Sequence, residues 1–276
     1  MRPVVVMPPE GAGRPIVVEV PHAGVFVPEA LRPELLLDSD GVQRDADLYV
    51  DRLYRGATAL GATLVFTEVS RFVVDLNRDP DDVDALSVPS HPSPRAEAPR
   101  GLIWRVTTDG TQALAAPLSL DAWRGRVEAY HTPYHRALED ALAAVRARFG
   151  RVVLLSGHSM PSVGKATHAD PGKRRADVVP GDLEGQACAA AVTAACVQHF
   201  TDAGLTVAPN DPYKGGGTTR RHGQPGSGVH ALQVELNRDL YMDEATFVIK
   251  PEPFARLEAL CLGLVDKLAA LADRLG

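Results

Sequence analysis

Arg151-Val152-Val153-Leu154-Leu155-Ser156-Gly157-His158-Ser159-Met160 is a run of strand-forming residues that breaks on a serine and a glycine and is followed at once by a histidine. It predicts a strand over 151–156. Directly before it, 120–149 carries Ala, Leu, Arg and Glu at helical spacing and predicts a helix. The same alternation extends in both directions. Further strands are expected at 15–20, 62–68, 71–76, 205–208 and 229–236, and further helices at 45–60, 183–203 and 253–275. Strands that alternate with helices form an α/β fold, in which a mostly parallel sheet is covered by helices on both faces. Pro and Gly gather at 79–101 and 161–181, which read as long loops, a class that is usually functional or mobile. No repeat is present, and the 276 residues are expected to form one domain.

Composition narrows the function. A hydrophobic fraction of 45% with 23% charged residues suits a chain with a substantial core. The net charge of -6 lacks the basic face that a nucleic-acid binder shows, so no nucleic-acid partner is expected. No window approaches the roughly 18 apolar residues of a membrane span, and the opening segment lacks the pattern of a signal peptide. Cys188, Cys196 and Cys261 match neither a zinc knuckle nor a disulfide framework. A reducing cytoplasm is the expected location, and the acidic balance leaves room for an anionic small-molecule substrate bound by one or two local Arg residues.

Three candidate residues share one placement. His22 and His158 each follow a predicted strand, and Glu235 lies near the end of another. Ligands of open α/β sheets bind outside the carboxyl ends of the strands, where residues distant in sequence converge. Hydrolytic zinc sites take three N or O ligands and leave one position open, so two imidazoles and a carboxylate meet the need. The third ligand comes from Asp45 or Asp47, which read as the opening of a helix; capping that helix is the alternative role. A carboxylate closing an apolar run is costly unless used. Glu235 therefore reads as a general base, or else as an ion-pair partner of Arg238 or Arg220.

In Ser70-Arg71-Phe72-Val73-Val74-Asp75-Leu76-Asn77-Arg78, Asp75 is placed to pair with Arg71, while Asn77 and Arg78 are placed to meet a substrate carboxylate. A purely structural ion-pair network is the alternative. The Gly-rich segment 214–223 has the wrong order for a P-loop and reads as a loop carrying Arg220 toward substrate. His131 and His135 sit four apart, yet they lack the adjacent Glu of the zinc-protease helix and enclose Pro133, so capping and packing is the reading.

Taken together, these motifs resemble the N-formylglutamate amidohydrolase family. The matching features are Pro21-His22-Ala23-Gly24, Asp45-Ala46-Asp47, Ser70-Arg71, Asp75-Leu76-Asn77-Arg78, Gly101-Leu102-Ile103-Trp104, Pro133-Tyr134-His135, Gly157-His158-Ser159, Lys214-Gly215-Gly216 and His230 to Glu235. They follow the family's order along nearly the whole chain. The family is similar in fold to zinc carboxypeptidases and aspartoacylases, which implies a three-layer α/β/α domain around a mixed sheet. By the same resemblance His22, Asp47 and His158 bind zinc, Glu235 is the catalytic carboxylate and Arg71 polarises the scissile carbonyl. Asn77 and Arg78 are similar to the pair that holds a carboxylate in the carboxypeptidases, and Arg220 is a candidate for a second carboxylate. The implied reaction is zinc-dependent hydrolysis of N-formyl-L-glutamate to formate and L-glutamate in histidine degradation; the ligand types also suit other divalent transition metals. A related amidohydrolase acting on another N-acyl amino acid or small peptide, and a non-catalytic metal-dependent binding protein, are the alternatives. Ala46 and Leu48 depart from the Thr and Trp that family members commonly carry there.

Overall fold

The structure, a computed structural model, describes residues 2–95 and 98–275. Six strands form one sheet: β1 (Val5–Met7), β2 (Ile16–Val20), β3 (Thr63–Phe66), β4 (Val152–Met160), β5 (Val178–Gly181) and β6 (Val229–Asn237), in the order β1-β3-β2-β4-β6-β5. β3, β2, β4 and β6 run parallel, while β1 and β5 close the edges antiparallel. The expected α/β fold with a mixed, mostly parallel sheet is observed.

The α-helices are α1 (Ser39–Asp45), α2 (Val50–Leu53), α3 (Leu120–Arg126), α4 (Thr132–Phe149), α5 (Ala190–Asp202), α6 (Gly217–His222) and α7 (Pro251–Ala272). A π-turn joins α3 to α4, so the helix expected over 120–149 is nearly continuous. No helix among the described residues is long and apolar enough to cross a membrane.

Alternate residues of a strand face opposite sides, and here the two sides differ in kind. One face carries Ile16, Val18, Val153, Leu155, Leu232 and Val234, which pack on Val192, Cys196 and Phe200 of α5 and Leu257, Cys261 and Leu264 of α7. The other begins apolar, with Val17, Leu154 and Ala231 against Tyr134, Leu138 and Leu142 of α4. Burying one such Leu contributes about 1.5–3 kcal/mol. Toward the carboxyl ends this second face turns polar yet stays buried, through Glu19, Ser156, His158, Gln233 and Glu235. Register sets them side by side: Ser156 lies opposite Glu19 and Gln233, and His158 opposite Glu235. Gly157 brings the opposite face close to Tyr54, where an added Cβ would lie 2.6 Å from the ring.

Several expected elements differ. The segment 71–76 is a series of turns, because Arg71 and Asp75 bond through their side chains and the Asp75 N–H donates to Leu102 O. Residues 205–208 touch the sheet only through a bridge between Val207 and Val178. β5 lies at the end of the stretch read as a loop, and β1 was not expected. The helix expected over 45–60 is broken, since α1 ends at Asp45, Ala46 is extended and Tyr49 is left-handed at φ 68°. Asp47 therefore sits in the junction and not on a first helical turn. Positive φ at Leu183, Glu184 and Gly185 delays the helix expected from 183 until Ala190.

Candidate active site

His22 lies just beyond β2, His158 inside β4, and Asp47 in the α1–α2 junction; their ligating atoms all lie within 4.8 Å of one another, and all three residues are buried. The Asp47 N–H donates to His22 O at 2.9 Å, which ties the junction to the end of β2. Asp47 Oδ2 is 3.0 Å from His158 Nδ1 and 3.6 Å from His22 Nδ1. Asp45 is directed elsewhere and accepts from the Thr108 N–H at 2.9 Å and from its hydroxyl.

Each imidazole has a carboxylate behind it. His22 Nε2 is 2.8 Å from Asp75 Oδ1. His158 Nε2 is 3.0 Å from Ser156 Oγ, whose hydroxyl donates to Glu19 Oε1 at 2.6 Å, and Tyr134 donates to Glu19 Oε2 at 2.6 Å. Carboxylates only accept, so Asp75 places the proton of the His22 ring on Nε2 and turns its Nδ1 lone pair inward. The Ser156 hydroxyl, committed to Glu19, accepts from His158 Nε2, and His158 Nδ1 faces Asp47. Among the described residues His22 Nδ1 has no hydrogen-bond partner despite its burial. A buried orphan nitrogen, a second inward imidazole, a carboxylate, and outward ring bonds that end on further carboxylates, directly at Asp75 or through Ser156 at Glu19, are the donor set and surroundings that a transition-metal ion requires. The residues fit such an ion.

Charge follows the same pattern. Burial alone would raise the Asp47 carboxyl, but the neighbouring His158 and His22 rings outweigh it and hold Asp47 well below the usual carboxylate range. Arg238 Nη2 adds a contact to Asp47 Oδ1 at 3.2 Å. Asp75 is likewise held low against burial by His22 and Arg71, and accepts from Arg71 Nη2 and Trp104 Nε1, each at 2.9 Å. Glu235 behaves oppositely: burial raises it, with His158 and Arg71 opposing only in part. Among the described residues it forms no ion pair, so the pairing with Arg238 or Arg220 is not observed.

Glu235 is held by a chain of amides. Gln233 Nε2 donates to Glu235 Oε1 at 2.9 Å, Asn77 Nδ2 donates to Gln233 Oε1 at 3.1 Å, and Asn77 Oδ1 accepts from the Thr218 N–H at 2.9 Å. At Gly216 a Cβ would fall 2.1 Å from the Asn77 amide. Behind the same segment, His131 Nε2 donates to Arg78 O at 2.9 Å and His135 Nε2 to Leu76 O at 2.8 Å, while His135 Nδ1 lies 3.2 Å from His222 Nε2. These histidines clamp the 76–78 backbone and stand apart from the His22–Asp47–His158 group.

The group opens into a cavity of about 170 Å³ lined also by Glu235, Arg71, Asn77 and Arg78. A larger groove of about 880 Å³ beside Phe26 and Phe66 includes none of these residues, so its size does not make it the site. Arg220 does not reach the cavity; its side chain is 62% exposed and lies 3.6 Å from Asp79. Sequence reasoning missed Arg100, His168 and Tyr213, which line the cavity from irregular segments that no periodicity places. It also missed Glu19, Ser156 and Gln233. The signal for the last two was present, because each lies two residues before His158 or Glu235 on the same strand and so on the same face.

Fold and site together define an α/β protein with a His–Asp–His group able to hold a metal at the carboxyl ends of parallel strands, beside a buried carboxylate. Comparison with known proteins narrows the class. A family model for N-formylglutamate amidohydrolase matches residues 14–242, and the chain belongs to that family. It is 33% identical to the N-formylglutamate deformylase of Pseudomonas aeruginosa over 264 residues, covering 93% of each chain. It is 32% identical to that of Pseudomonas putida over 252 residues, covering 89% of this chain and 86% of the relative. The crystal structure of N-formylglutamate amidohydrolase from Ralstonia eutropha superposes with a TM-score of 0.91 at 30% identity over 99% of both chains. A gene product of Agrobacterium tumefaciens shares the fold, with a TM-score of 0.69 at 22% identity over 99% of this chain and 95% of that one.

Proposed function

We propose that this chain is a zinc-dependent amidohydrolase that converts N-formyl-L-glutamate and water to formate and L-glutamate, a step in histidine degradation. Its relatives named for that deformylation support the reading. The observation that carries it is the buried Glu235, which forms no ion pair among the described residues and faces the same cavity as the His22–Asp47–His158 group. The entire chain acts as one domain in this reading, since the sheet draws strands from Val5 to Asn237 and α7 packs beneath it. The three free, buried cysteines suit a reducing cytoplasm.

His22, Asp47 and His158 hold the ion, and two imidazoles with one carboxylate suit zinc. When bound, the ion supplies Lewis acidity, making water more acidic and the formyl carbonyl more electrophilic. Gln233 engages one oxygen of Glu235, so Oε2 takes the proton of the attacking water as its oxygen bonds to the formyl carbon. As the C–N bond breaks, Glu235 gives that proton to the departing nitrogen, and its raised affinity for protons suits both transfers. Arg71, stacked 4.3 Å from the Trp104 ring, stabilises negative charge on the carbonyl oxygen. Arg78 binds a substrate carboxylate, and Asn77 holds the backbone of that segment through its amide bonds.

Formate release from N-formylglutamate tests the reading, with chelator and then zinc added back and with N-acetylglutamate as the competing substrate. Glu235→Gln is expected to retain zinc and to lose about 10²–10⁴-fold in kcat. Near-normal turnover by that variant would remove Glu235 from its role, and stoichiometric zinc without hydrolysis of either substrate would favour a binding protein.

A further inference from the structure

The proposed substrate carries two carboxylates, and four guanidinium groups line the cavity, those of Arg71, Arg78, Arg100 and Arg238. Two are already engaged by anions. Arg71 pairs with Asp75 at 2.9 Å, and Arg238 contacts Asp47 at 3.2 Å while also donating to Arg44 O at 2.7 Å. Among the described residues Arg78 and Arg100 form no ion pair.

Arg100 is held without being neutralised. Its Nη2 donates to Thr167 O at 2.7 Å, and Thr167 is itself fixed by its hydroxyl to Thr108 O at 2.7 Å. The Arg100 guanidinium lies 5.8 Å from the Trp104 ring centroid, on the indole that also carries Arg71. Burial weakens its hold on its proton, which Asp45 offsets only in part, and the carboxylate of Asp45 is engaged by Thr108. A partly desolvated cation whose only hydrogen-bonded partner among the described residues is a carbonyl is costly, and an incoming carboxylate would relieve that cost. Arg220 stands outside the cavity and cannot serve the same end.

We infer that Arg100 is a specificity-determining residue that binds the second carboxylate of the substrate, opposite the one taken by Arg78, so that the cavity selects dicarboxylic N-acyl amino acids. This rests on the function proposed above. The planar guanidinium offers two parallel N–H donors, which a carboxylate matches and a neutral amide does not.

N-formylglutamine replaces that carboxylate with an amide of nearly the same shape. The test compares kcat/KM for N-formylglutamate and N-formylglutamine in the zinc-loaded wild-type chain, Arg100→Met and Arg100→Lys. The wild type is expected to favour the glutamate substrate by about 10²-fold. In Arg100→Met that ratio should fall to near unity, mainly through KM for N-formylglutamate, and Arg100→Lys should restore part of it. A folding defect would lower both substrates together and leave the ratio intact. An unchanged ratio in Arg100→Met, or a wild type that does not distinguish the two, overturns the inference and leaves the deformylase reading standing. A wild type that releases no formate from N-formylglutamate overturns both.

Discussion

Glu19 has no exposed surface, although it is a carboxylate in the middle of a sheet. Such a group survives burial only when its oxygens are bonded, and here Ser156 and Tyr134 each donate to one of them. Ser156 oxygen then accepts the Nε2 proton of His158, so the charge of Glu19 reaches the ring through one hydroxyl and keeps Nδ1 turned toward Asp47. Asp75 does the same for His22 without an intermediary. Bonds of this kind fix the tautomer and angle of a metal-binding imidazole, and their loss weakens metal binding about 10–100-fold. Ser156→Ala and Glu19→Gln are each expected to weaken zinc binding by that factor in a chelator competition, although neither side chain touches the ion. Wild-type affinity in Ser156→Ala would show that the His158 ring is oriented by its packing alone.

At the scale of elements, the start of α4 and the short α6 bring together His131 and His135, whose spacing of four imitates a metal pair, and His222. Burial, with the nearby His131 and His222, pushes His135 down to about 2 from an ordinary 6.5, and burial lowers His131 and His222 as well. Arg221 disfavours protonation of all three, while Asp75, Asp79, Glu19 and Glu139 pull the other way on His131 or His222. A lowered folded-state value means that the unfolded chain binds a proton the native chain refuses. Stability is therefore complete above about 6.5 and declines on acidification toward about 2, by up to about 1.4 kcal/mol per pH unit from His135. His135→Gln keeps a donor for Leu76 O but removes that titration. In urea unfolding with chelator present, its stability should fall less steeply than the wild type's between pH 6.5 and 4.5, and equal slopes would exclude His135. Elements also decide what could be read in advance. β2, β4 and β6 are largely apolar runs, and His22, His158 and Glu235 stand out because each lies at or near the carboxyl end of one. Asp47 depends on the break at Ala46 and the left-handed Tyr49, which no periodicity announces. Residues 71–76 have the composition of a strand, but the bonds of Arg71 and Asp75 override that preference. Three-residue β1 and Pro-containing β5 carry too little pattern to register.

On the scale of the molecule, the group able to hold a metal is a long-range contact. His22, Asp47 and His158 come from the end of β2, the α1–α2 junction and β4, and they converge only when β2 pairs with β4 and the Asp47 N–H closes on His22 O. An unfolded chain offers no such site, so ion binding and folding are linked, and the native state gains RT ln(1 + [L]/Kd). At an ion concentration one hundred times Kd this amounts to about 2.7 kcal/mol. For a chain of this length roughly 2 °C of midpoint accompanies each kcal/mol, so zinc at that level should raise the thermal midpoint by about 5 °C over the chelated protein. The shift should grow with the logarithm of free zinc once the site is saturated. His22→Ala removes the orphan nitrogen and one ligand, and its midpoint should stay level over the same zinc range, whatever its value in chelator. Glu235→Gln should follow the wild-type curve, because Glu235 belongs to the cavity and not to the three-ligand group. A zinc-dependent shift that persists in His22→Ala would place the ion elsewhere in the molecule, and a shift absent from both chains would remove the metal from the site altogether.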